Sequence, residues 1–358
     1  MKATQKLHDA GQSLWIDDIT RNMLDSGTLA HYIKDLSVTG LTSNPTIFDK
    51  AISKSTFYDE AIRGLMKKGL SGEELFFELA IEDLSRAADM FAPVHERTAT
   101  VDGWVSLEVS PLLAYDTKAT IDEAKRLYKK TGKKNLFIKI PGTKEGLPAI
   151  EEAIFCGVTV NVTLLFSADD YLAAADAYMK GLERRVAAGL NPDVRSVASV
   201  FISRWDKAVM DKVADRLRDK LGIAVAKKAY RAYRETIASD RWQRLESLGA
   251  RPQRLLFAST STKDPKAPDT MYINGLAAPN TVNTMPDETL LAFADHGAVN
   301  AMLAADGGDC DKILDEYPGA GVDVDALGRQ LQVEGAKAFV QSWQDLLKSI
   351  ETKSKALK

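Results

Sequence analysis

The chain has 358 residues, of which 45% are hydrophobic and 27% charged, and its 50 acidic and 47 basic side chains leave a formal net charge of -3. This composition is typical of a folded globular enzyme and argues against a disordered or fibrous protein. The balanced charge provides no positive field that would attract nucleic acid, so an anionic ligand must be bound by local groups.

The N-terminal sequence and the cysteines limit the compartment and the chemistry. Residues 1–18 lack the apolar stretch of a signal peptide, and no window approaches the ~20 apolar residues that span a bilayer, so we expect a cytoplasmic protein with no membrane partner. Cys156 and Cys310 are too few for a disulfide framework and are predicted to be free thiols. The histidines show no metal-ligand spacing, so neither a metal site nor a cofactor is predicted.

Eight short runs rich in β-branched and aromatic residues alternate with segments of helical periodicity. The runs are SLWIDD (13–18), VTGLTSNP (38–45), WVSLEVSP (104–111), NLFIKIPG (135–142), VTVNVTLLF (158–166), SVASVFISRW (196–205), RLLFASTSTK (254–263) and NTVNTMP (280–286). Amphipathic helices are predicted between them, among others at 121–131, 169–187, 206–221 and 224–239. This alternation predicts an α/β fold, a (β/α)8 TIM barrel with additional helices, and an open doubly wound sheet is the alternative.

Two segments lie outside the alternation and predict the additional helices. Residues 55–100 are long for one crossover and contain a helix-start sequence at 69–74, followed by an apolar-periodic run. Residues 323–350 carry apolar side chains at helical spacing, which predicts a last helix folded back over the barrel. Because no linker interrupts the chain, residues 1–358 are predicted to form one catalytic domain with a helical insertion at 55–100.

Alternate side chains of a strand face opposite sides, so each run divides into an outer set that packs on helices and an inner set that faces the barrel axis. In residues 135–141, leucine and isoleucine alternate with Phe137 and Lys139, which places a lysine inside the barrel. By the same division, the inner set also includes Asp17, Glu108, Asn161, Thr163, Ser199 and Phe201.

The inward polar residues predict an active site. Polar side chains inside a barrel are costly unless they bond to one another, and barrel active sites lie at the C-terminal ends of the strands, where most of these residues fall. Burial favours the neutral amine with which Lys139 would attack a carbonyl, and Glu108 and Asp17 would transfer protons. A structural ion pair between Lys139 and Glu108 gives the same pattern, and parity does not separate the two interpretations.

Five motifs together resemble the transaldolase family in order and spacing: GLTSNPTIF (40–48), SLEVSP (106–111), FIKIPGTKEG (137–146), NVTLLFS (161–167) and SVFISRWD (199–206). The resemblance extends from Asp17 through Pro265 and is weaker beyond. It implies a (β/α)8 barrel with a Schiff-base lysine on the fourth strand. It also implies a transferase of the pentose phosphate pathway, which moves a dihydroxyacetone unit from sedoheptulose 7-phosphate to glyceraldehyde 3-phosphate and gives erythrose 4-phosphate and fructose 6-phosphate.

The resemblance implies a role for each matching residue. Lys139 matches the Schiff-base lysine, and Asp17 matches the acid/base that takes the proton of the C4 hydroxyl. Glu108 and Thr163 match the pair that holds a catalytic water. The remaining matches would bind the sugar phosphate: Asn44 and Asn161 orient the three-carbon fragment, Ser199 and Phe201 line the same face, and Arg204, Ser261 and Lys263 bind phosphate.

Several alternatives stay open at this point. Lys263 stands where many relatives carry an arginine, although a lysine still offers a point charge to phosphate. Asn44 precedes a proline, which is a common start of a turn, and Arg204 could instead pair with Asp206 on the following helix. A fructose 6-phosphate aldolase would use the same Schiff base, and a non-catalytic sugar-phosphate-binding barrel would keep the fold alone. The sequence is compatible with a monomer and with a homodimer.

Overall fold

In the computed structural model, which describes residues 2–358, eight parallel strands pair in sequence order and close into a barrel. The last strand pairs with the first, which completes the ring. The predicted (β/α)8 barrel is therefore confirmed, and the open doubly wound sheet is wrong. The strands are β1 Ser13–Ile16, β2 Val38–Leu41, β3 Trp104–Glu108, β4 Leu136–Pro141, β5 Val160–Leu165, β6 Ser196–Phe201, β7 Arg254–Ala258 and β8 Val282–Met285.

Helices surround the barrel and cover one of its ends. Residues 55–100 contain two of them, α5 and α6, and the last helix begins at residue 324 and continues to 356. Short 3-10 helices lie at Pro111–Leu113, Asp215–Leu217 and Pro318–Ala320. The helices are α1 Ala3–Asp9, α2 Arg21–Asp25, α3 Thr28–Asp35, α4 Pro45–Ser53, α5 Asp59–Lys67, α6 Gly72–Arg97, α7 Thr117–Thr131, α8 Gly146–Phe155, α9 Ala168–Ala187, α10 Ser203–Val209, α11 Leu221–Ala238, α12 Asp240–Ser247, α13 Met271–Gly275, α14 Asp287–His296, α15 Cys310–Leu314 and α16 Val324–Ala356.

The helix predicted over residues 206–221 is wrong. The chain leaves the helical conformation after Val209, at the end of α10, and α11 begins only at Leu221. The reason is the Asp206 carboxylate, which accepts hydrogen bonds from the backbone N–H groups of Leu221 at 2.9 Å and Gly222 at 3.2 Å. This long-range cap satisfies the first donors of α11, and it overrides the helical pattern of the intervening residues.

Two helices that follow barrel strands, α4 and α9, begin at local caps. The Asn44 side chain accepts the backbone N–H of Ile47, and Pro45 occupies the first turn of α4. Ser167 and Asp170 form a capping box at the start of α9. Each cap pairs backbone donors that the first turn of a helix leaves free, so it fixes where the strand-to-helix turn ends.

The strand faces divide as parity predicts. Outward residues such as Ile138 and Val162 belong to the core between sheet and helices, whereas Phe137 belongs to a separate cluster inside the barrel. Glu108 on β3 lies opposite Lys139 on β4, which lies opposite Asn161 on β5. Because residues directly opposite one another face the same side of a sheet, three polar side chains become neighbours inside the barrel.

Aromatic rings fill the N-terminal half of the barrel. The rings of Trp104 and Phe137 stack with centroids 4.1 Å apart, and Trp15 lies 6.2 Å from Phe137. Gly40 on β2 makes room for this layer, since a Cβ at that position would lie 2.7 Å from the Trp15 ring and 2.7 Å from the Trp104 carbonyl oxygen. The polar residues therefore lie above a packed layer rather than in an open channel.

Helix α16, with 33 residues, returns over the C-terminal end of the barrel. It packs against α4 and α6, and it contacts the end of β5. Neither this helix nor any other within residues 2–358 combines the length and apolar character that crossing a membrane requires. The helix therefore forms a wall beside the C-terminal ends of the strands.

Candidate active site

A cavity of about 400 Å³ opens at the C-terminal end of the barrel, beside α16. This is the end at which barrels of this class carry their active sites. Nine of the eleven residues predicted from the sequence line it, and the two that do not are Glu108 and Asn161. The nine are Asp17, Asn44, Lys139, Thr163, Ser199, Phe201, Arg204, Ser261 and Lys263.

Lys139 lies at the base of this cavity with weak polar contacts. The side chain is 6% exposed, and its Nζ lies 3.5 Å from Oε2 of Glu108 and 3.3 Å from the backbone oxygen of Ser43. The Nζ is also 5.5 Å from the ring centroid of Phe339 on α16. Charge-assisted N–H···O bonds are about 2.7–2.9 Å long, so the amine is held loosely by comparison.

Glu108 lies beneath the cavity and is held without hydrogen bonds. Burial raises the pKa of its carboxyl to about 7, although the nearby Lys139 opposes the shift. Neither carboxylate oxygen has a hydrogen-bond partner within residues 2–358. A small cavity of about 10 Å³ adjoins Glu108, Ser43 and Asn44. A carboxyl that titrates near neutral pH can both accept and return a proton.

Asp17 lies just beyond the end of β1 and faces the same cavity. Its Oδ1 accepts a hydrogen bond of 2.8 Å from the Thr42 hydroxyl, which lies 2.8 Å from the hydroxyl of Thr284. Burial raises the pKa of the Asp17 carboxyl, and the Lys139 charge and the side chains of Thr42 and Asn44 oppose the shift. The site thus contains two carboxyl groups near one lysine, each with a raised pKa.

Asn161 is fully buried below the cavity, and its amide is used within the barrel. It donates to the Ser106 hydroxyl at 3.1 Å and accepts from the Ser199 hydroxyl at 2.7 Å. Thr163, two residues further along β5, lines the cavity, and its hydroxyl has no partner within residues 2–358. The structure therefore brings Thr163 to the cavity, whereas contact of Asn161 with a substrate stays a prediction.

Two cations, Arg204 and Lys263, lie across the cavity from the strands that carry the two carboxyl groups. The Arg204 guanidinium lies 5.1 Å from the ring centroid of Phe201 and 6.0 Å from that of Phe339. Lys263 donates a hydrogen bond to the Ser261 hydroxyl. Burial lowers the pKa of both cations, and for Lys263 the charges of Lys207 and Arg204 add to this effect. Such a concentration of positive charge favours an anionic ligand group.

The alternative pairing of Arg204 with Asp206 is wrong. Asp206 is buried, and it caps α11 and accepts a hydrogen bond of 2.7 Å from the Tyr272 hydroxyl. Within residues 2–358, Arg204 has no carboxylate within 4.0 Å. Its charge is therefore available to the cavity.

Sequence reasoning missed twelve residues of the cavity wall. Parity along β8 could have identified Thr284, and Thr42 lies in the same motif as Asn44. For Phe339 the helical spacing of residues 323–350 predicted burial, but nothing local indicated which part of the barrel this helix would cover. The residues missed are Thr42, Thr46, Ile47, Lys50, Ala258, Ser259, Thr284, Pro286, Glu288, Ala338, Phe339 and Ser342.

Other candidate chemistries find little support in the described part of the chain. No three His, Cys, Asp or Glu side chains among residues 2–358 come together in a way that could hold a metal ion. Cys156 and Cys310 are both free thiols, as predicted, and neither lines the cavity. The arrangement supports acid–base and nucleophilic chemistry on an anionic substrate.

Known proteins of the same kind match almost the whole chain. A family model described as transaldolase/fructose-6-phosphate aldolase matches residues 14–350. The protein named transaldolase from Parafrankia sp. (strain EAN1pec) is 45% identical over 358 residues, which cover 98% of this chain and 97% of the relative. The transaldolase of Thermobifida fusca (strain YX) is 46% identical over 352 residues, 96% of each chain. Transaldolase 2 of Nostoc punctiforme (strain ATCC 29133 / PCC 73102) is 42% identical over 366 residues, with 97% of this chain and 96% of the relative covered.

Proposed function

The chain belongs to the transaldolase/fructose-6-phosphate aldolase family, and we propose that it is a transaldolase whose Schiff base forms on Lys139. The observation that carries the proposal is the loosely held, buried amine of Lys139 beside Glu108. A lysine kept for a structural ion pair would be expected to bond its carboxylate closely, because both charges lose their hydration on burial. Loose pairing instead leaves the amine free to attack.

In the donor half of the reaction, the Nζ of Lys139 attacks C2 of a ketose phosphate. The carbinolamine loses water and gives an iminium ion. Asp17 then removes the proton of the C4 hydroxyl, the C3–C4 bond breaks, and its electron pair moves into the iminium group to form an enamine. An aldose phosphate leaves with the new aldehyde. The raised pKa of Asp17 makes its carboxylate a stronger base than an exposed aspartate.

In the acceptor half, C3 of the enamine attacks the aldehyde carbon of a second aldose phosphate. Asp17 returns its proton to the new hydroxyl oxygen. Water then adds to the iminium ion and releases a ketose phosphate whose length depends on the acceptor. With sedoheptulose 7-phosphate as donor and glyceraldehyde 3-phosphate as acceptor, the products are erythrose 4-phosphate and fructose 6-phosphate. Release of the first product before the second substrate binds predicts ping-pong kinetics.

Glu108 and Thr163 would move protons for the carbinolamine through one water molecule. Their side-chain oxygens are buried and have no hydrogen-bond partner within residues 2–358. A carboxyl with a pKa of about 7 suits this exchange at neutral pH.

Arg204, Ser261 and Lys263 would bind the substrate phosphate. Arg204 offers a planar pair of donors and Lys263 a point charge, while the Ser261 hydroxyl can donate as well. Asn44 and Asn161 would orient the three-carbon fragment, and Ser199 and Phe201 would line its path. This arrangement places the anionic end of an extended sugar away from the reacting carbon atoms.

Borohydride trapping tests the proposal. The protein is incubated with fructose 6-phosphate and reduced, and the adduct is located by peptide mass. We expect a three-carbon adduct on Lys139 that is absent in Lys139→Ala. Lys50→Ala is the matched control, because Lys50 lines the same cavity and should not affect the adduct. A folded protein with no adduct, or with one on another lysine, would exclude the mechanism and favour the non-catalytic sugar-phosphate-binding barrel.

A fructose 6-phosphate aldolase remains the second candidate, because the family includes this activity and the same Schiff base serves it. The relatives named transaldolase favour transfer. The two are separated by free dihydroxyacetone, which an aldolase releases without an acceptor and a transaldolase retains until an aldose phosphate arrives. Operation in the pentose phosphate pathway, a cytoplasmic location and a monomeric or homodimeric state stay predictions.

A further inference from the structure

The backbone turns sharply beside the candidate catalytic residues. Leu164 follows Thr163 on β5 and has a φ of 60°, in the left-handed region that leucine rarely adopts. The pairing of β5 with β6 shifts register between Val162 and Leu165. Non-glycine residues keep such a conformation when surrounding groups hold them, and they concentrate at functional sites.

One side chain of α16 bonds to this turn. The Nε2 of Gln332 donates to the backbone oxygen of Leu164 at 3.0 Å and to that of Gly142 at 3.3 Å. Gly142 follows the end of β4, the strand that carries Lys139, and its N–H donates to the oxygen of Thr163 at 2.7 Å. A single amide group therefore joins the ends of the two strands that carry Lys139 and Thr163.

The same face of α16 packs closely on the turn. A Cβ at Gly335 would lie 3.0 Å from Cδ2 of Leu164 and 3.0 Å from Nη1 of Arg204, so a residue without a side chain lets the helix approach. One turn further, Phe339 lies against Lys139 and Arg204. The contact is continuous along the helix, and Gln332 is its hydrogen-bonding member.

We propose that Gln332 is a positioning residue of the reaction: it holds the left-handed turn at Leu164 and thereby fixes Thr163 and the end of the Lys139 strand. The inference rests on the proposed function, since it concerns the residues that carry out proton transfer and attack. It predicts that loss of the amide slows the chemical steps, because small displacements of reacting groups are costly, while substrate affinity changes little.

The test compares Gln332→Met with Gln330→Met in the full-length protein. Methionine keeps the length and helix propensity of glutamine but cannot donate. Gln330 is a matched control, because it is exposed on the same helix and bonds only to Glu334 at 2.7 Å among residues 2–358. We expect Gln332→Met to lower kcat about tenfold or more, with KM changed less than about threefold, and Gln330→Met to match the wild type.

A second variant keeps the inference decidable if Gln332→Met folds poorly. In Gln332→Glu, the carboxyl can donate only while protonated, so its kcat relative to wild type should fall as pH rises from about 5 to about 8. Wild-type kcat in folded Gln332→Met, or a pH-independent ratio for Gln332→Glu, would overturn the inference alone. Wild-type protein that forms no borohydride adduct would instead remove the proposed function and the inference with it.

Discussion

Two buried carboxylates lie six residues apart, Asp102 just before strand β3 and Glu108 at its end, and their surroundings differ. Asp102, at the N-terminal end of the barrel, accepts hydrogen bonds from the Ser13 hydroxyl and from the Trp15 indole at 2.7 Å. Arg254 supports this pair by donating to the Ser13 hydroxyl at 2.6 Å. Glu108, at the C-terminal end, has Lys139 at 3.5 Å and no hydrogen-bond partner within residues 2–358.

The contrast shows that the hydrogen bonding of a buried carboxylate, more than its burial, distinguishes a structural group from a candidate catalytic one. A satisfied carboxylate such as Asp102 orders the packing around it, whereas an unsatisfied one costs stability and is kept for chemistry. Cavity size does not make this distinction, since the cavity at the N-terminal end, about 570 Å³, exceeds the one at the mouth, about 400 Å³. Substitutions at the two ends of the barrel test this difference.

The largest effect is expected at the mouth, from Asp17→Asn. Loss of the acid/base should lower kcat by about 10²–10³-fold, within the range that general acid–base catalysis contributes. Since burial raises the pKa of Asp17, the charged form is disfavoured in the fold, so the variant should be at least as stable as the wild type near pH 8. Steady-state kinetics and thermal unfolding measure both. A kcat within tenfold of wild type would remove Asp17 from the mechanism.

Glu108→Gln is expected to lower kcat about 10²-fold and to change the pH dependence of stability. Because the pKa of Glu108 rises from an ordinary 4.5 to about 7 in the fold, the folded protein holds this proton more tightly than the unfolded chain. The contribution of Glu108 to the free energy of unfolding therefore decreases as pH rises from about 4.5 to about 7. Thermal unfolding across this range should show a shallower decline for the variant, and parallel curves would contradict the assignment.

At the N-terminal end of the barrel, Asp102→Asn should lower stability and leave kcat nearly unchanged, the reverse of the effects expected at the mouth. The amide cannot accept at both positions, so one buried donor, the Ser13 hydroxyl or the Trp15 indole, loses its partner. The free energy of unfolding should fall by about 1–3 kcal/mol, whereas kcat should stay within about threefold of wild type. Denaturant unfolding and kinetics on the same preparation provide the test. A large loss of kcat in a stable protein would mean that Asp102 also affects the reaction at the other end of the barrel.

The smallest effect is expected from Lys263→Arg, which keeps the charge at the mouth. Arginine can bind phosphate with two parallel bonds, so KM for the sugar phosphate should fall, by no more than about threefold, with kcat unchanged. Substrate titration measures this. An increase of tenfold or more in KM would show that the pocket is shaped for the lysine and its bond to Ser261.

Local patterns predicted the strands and the inward polar residues because both depend on a period of two. Each of Lys139, Glu108 and Asn161 follows from alternation within one run, and parallel register then makes them neighbours. The helix over 206–221 failed for the opposite reason. Its sequence has helical spacing, but the carboxylate of Asp206 is used to begin α11.

Alternation within the strands predicted the inward lysine and its carboxylates, and the family resemblance supplied the candidate phosphate-binding residues. The sequence fitted both a barrel and an open sheet, and the pairing of β1 with β8 showed that the barrel is closed. The three-dimensional fold was needed to show that Glu108 has no hydrogen-bond partner within residues 2–358 while Asp102 has two. It was also needed to show that Arg204 does not pair with Asp206 and that α16 brings Gln332 and Phe339 to the mouth. Such contacts join residues far apart in the chain, and their energies depend on distances and burial that no local pattern contains.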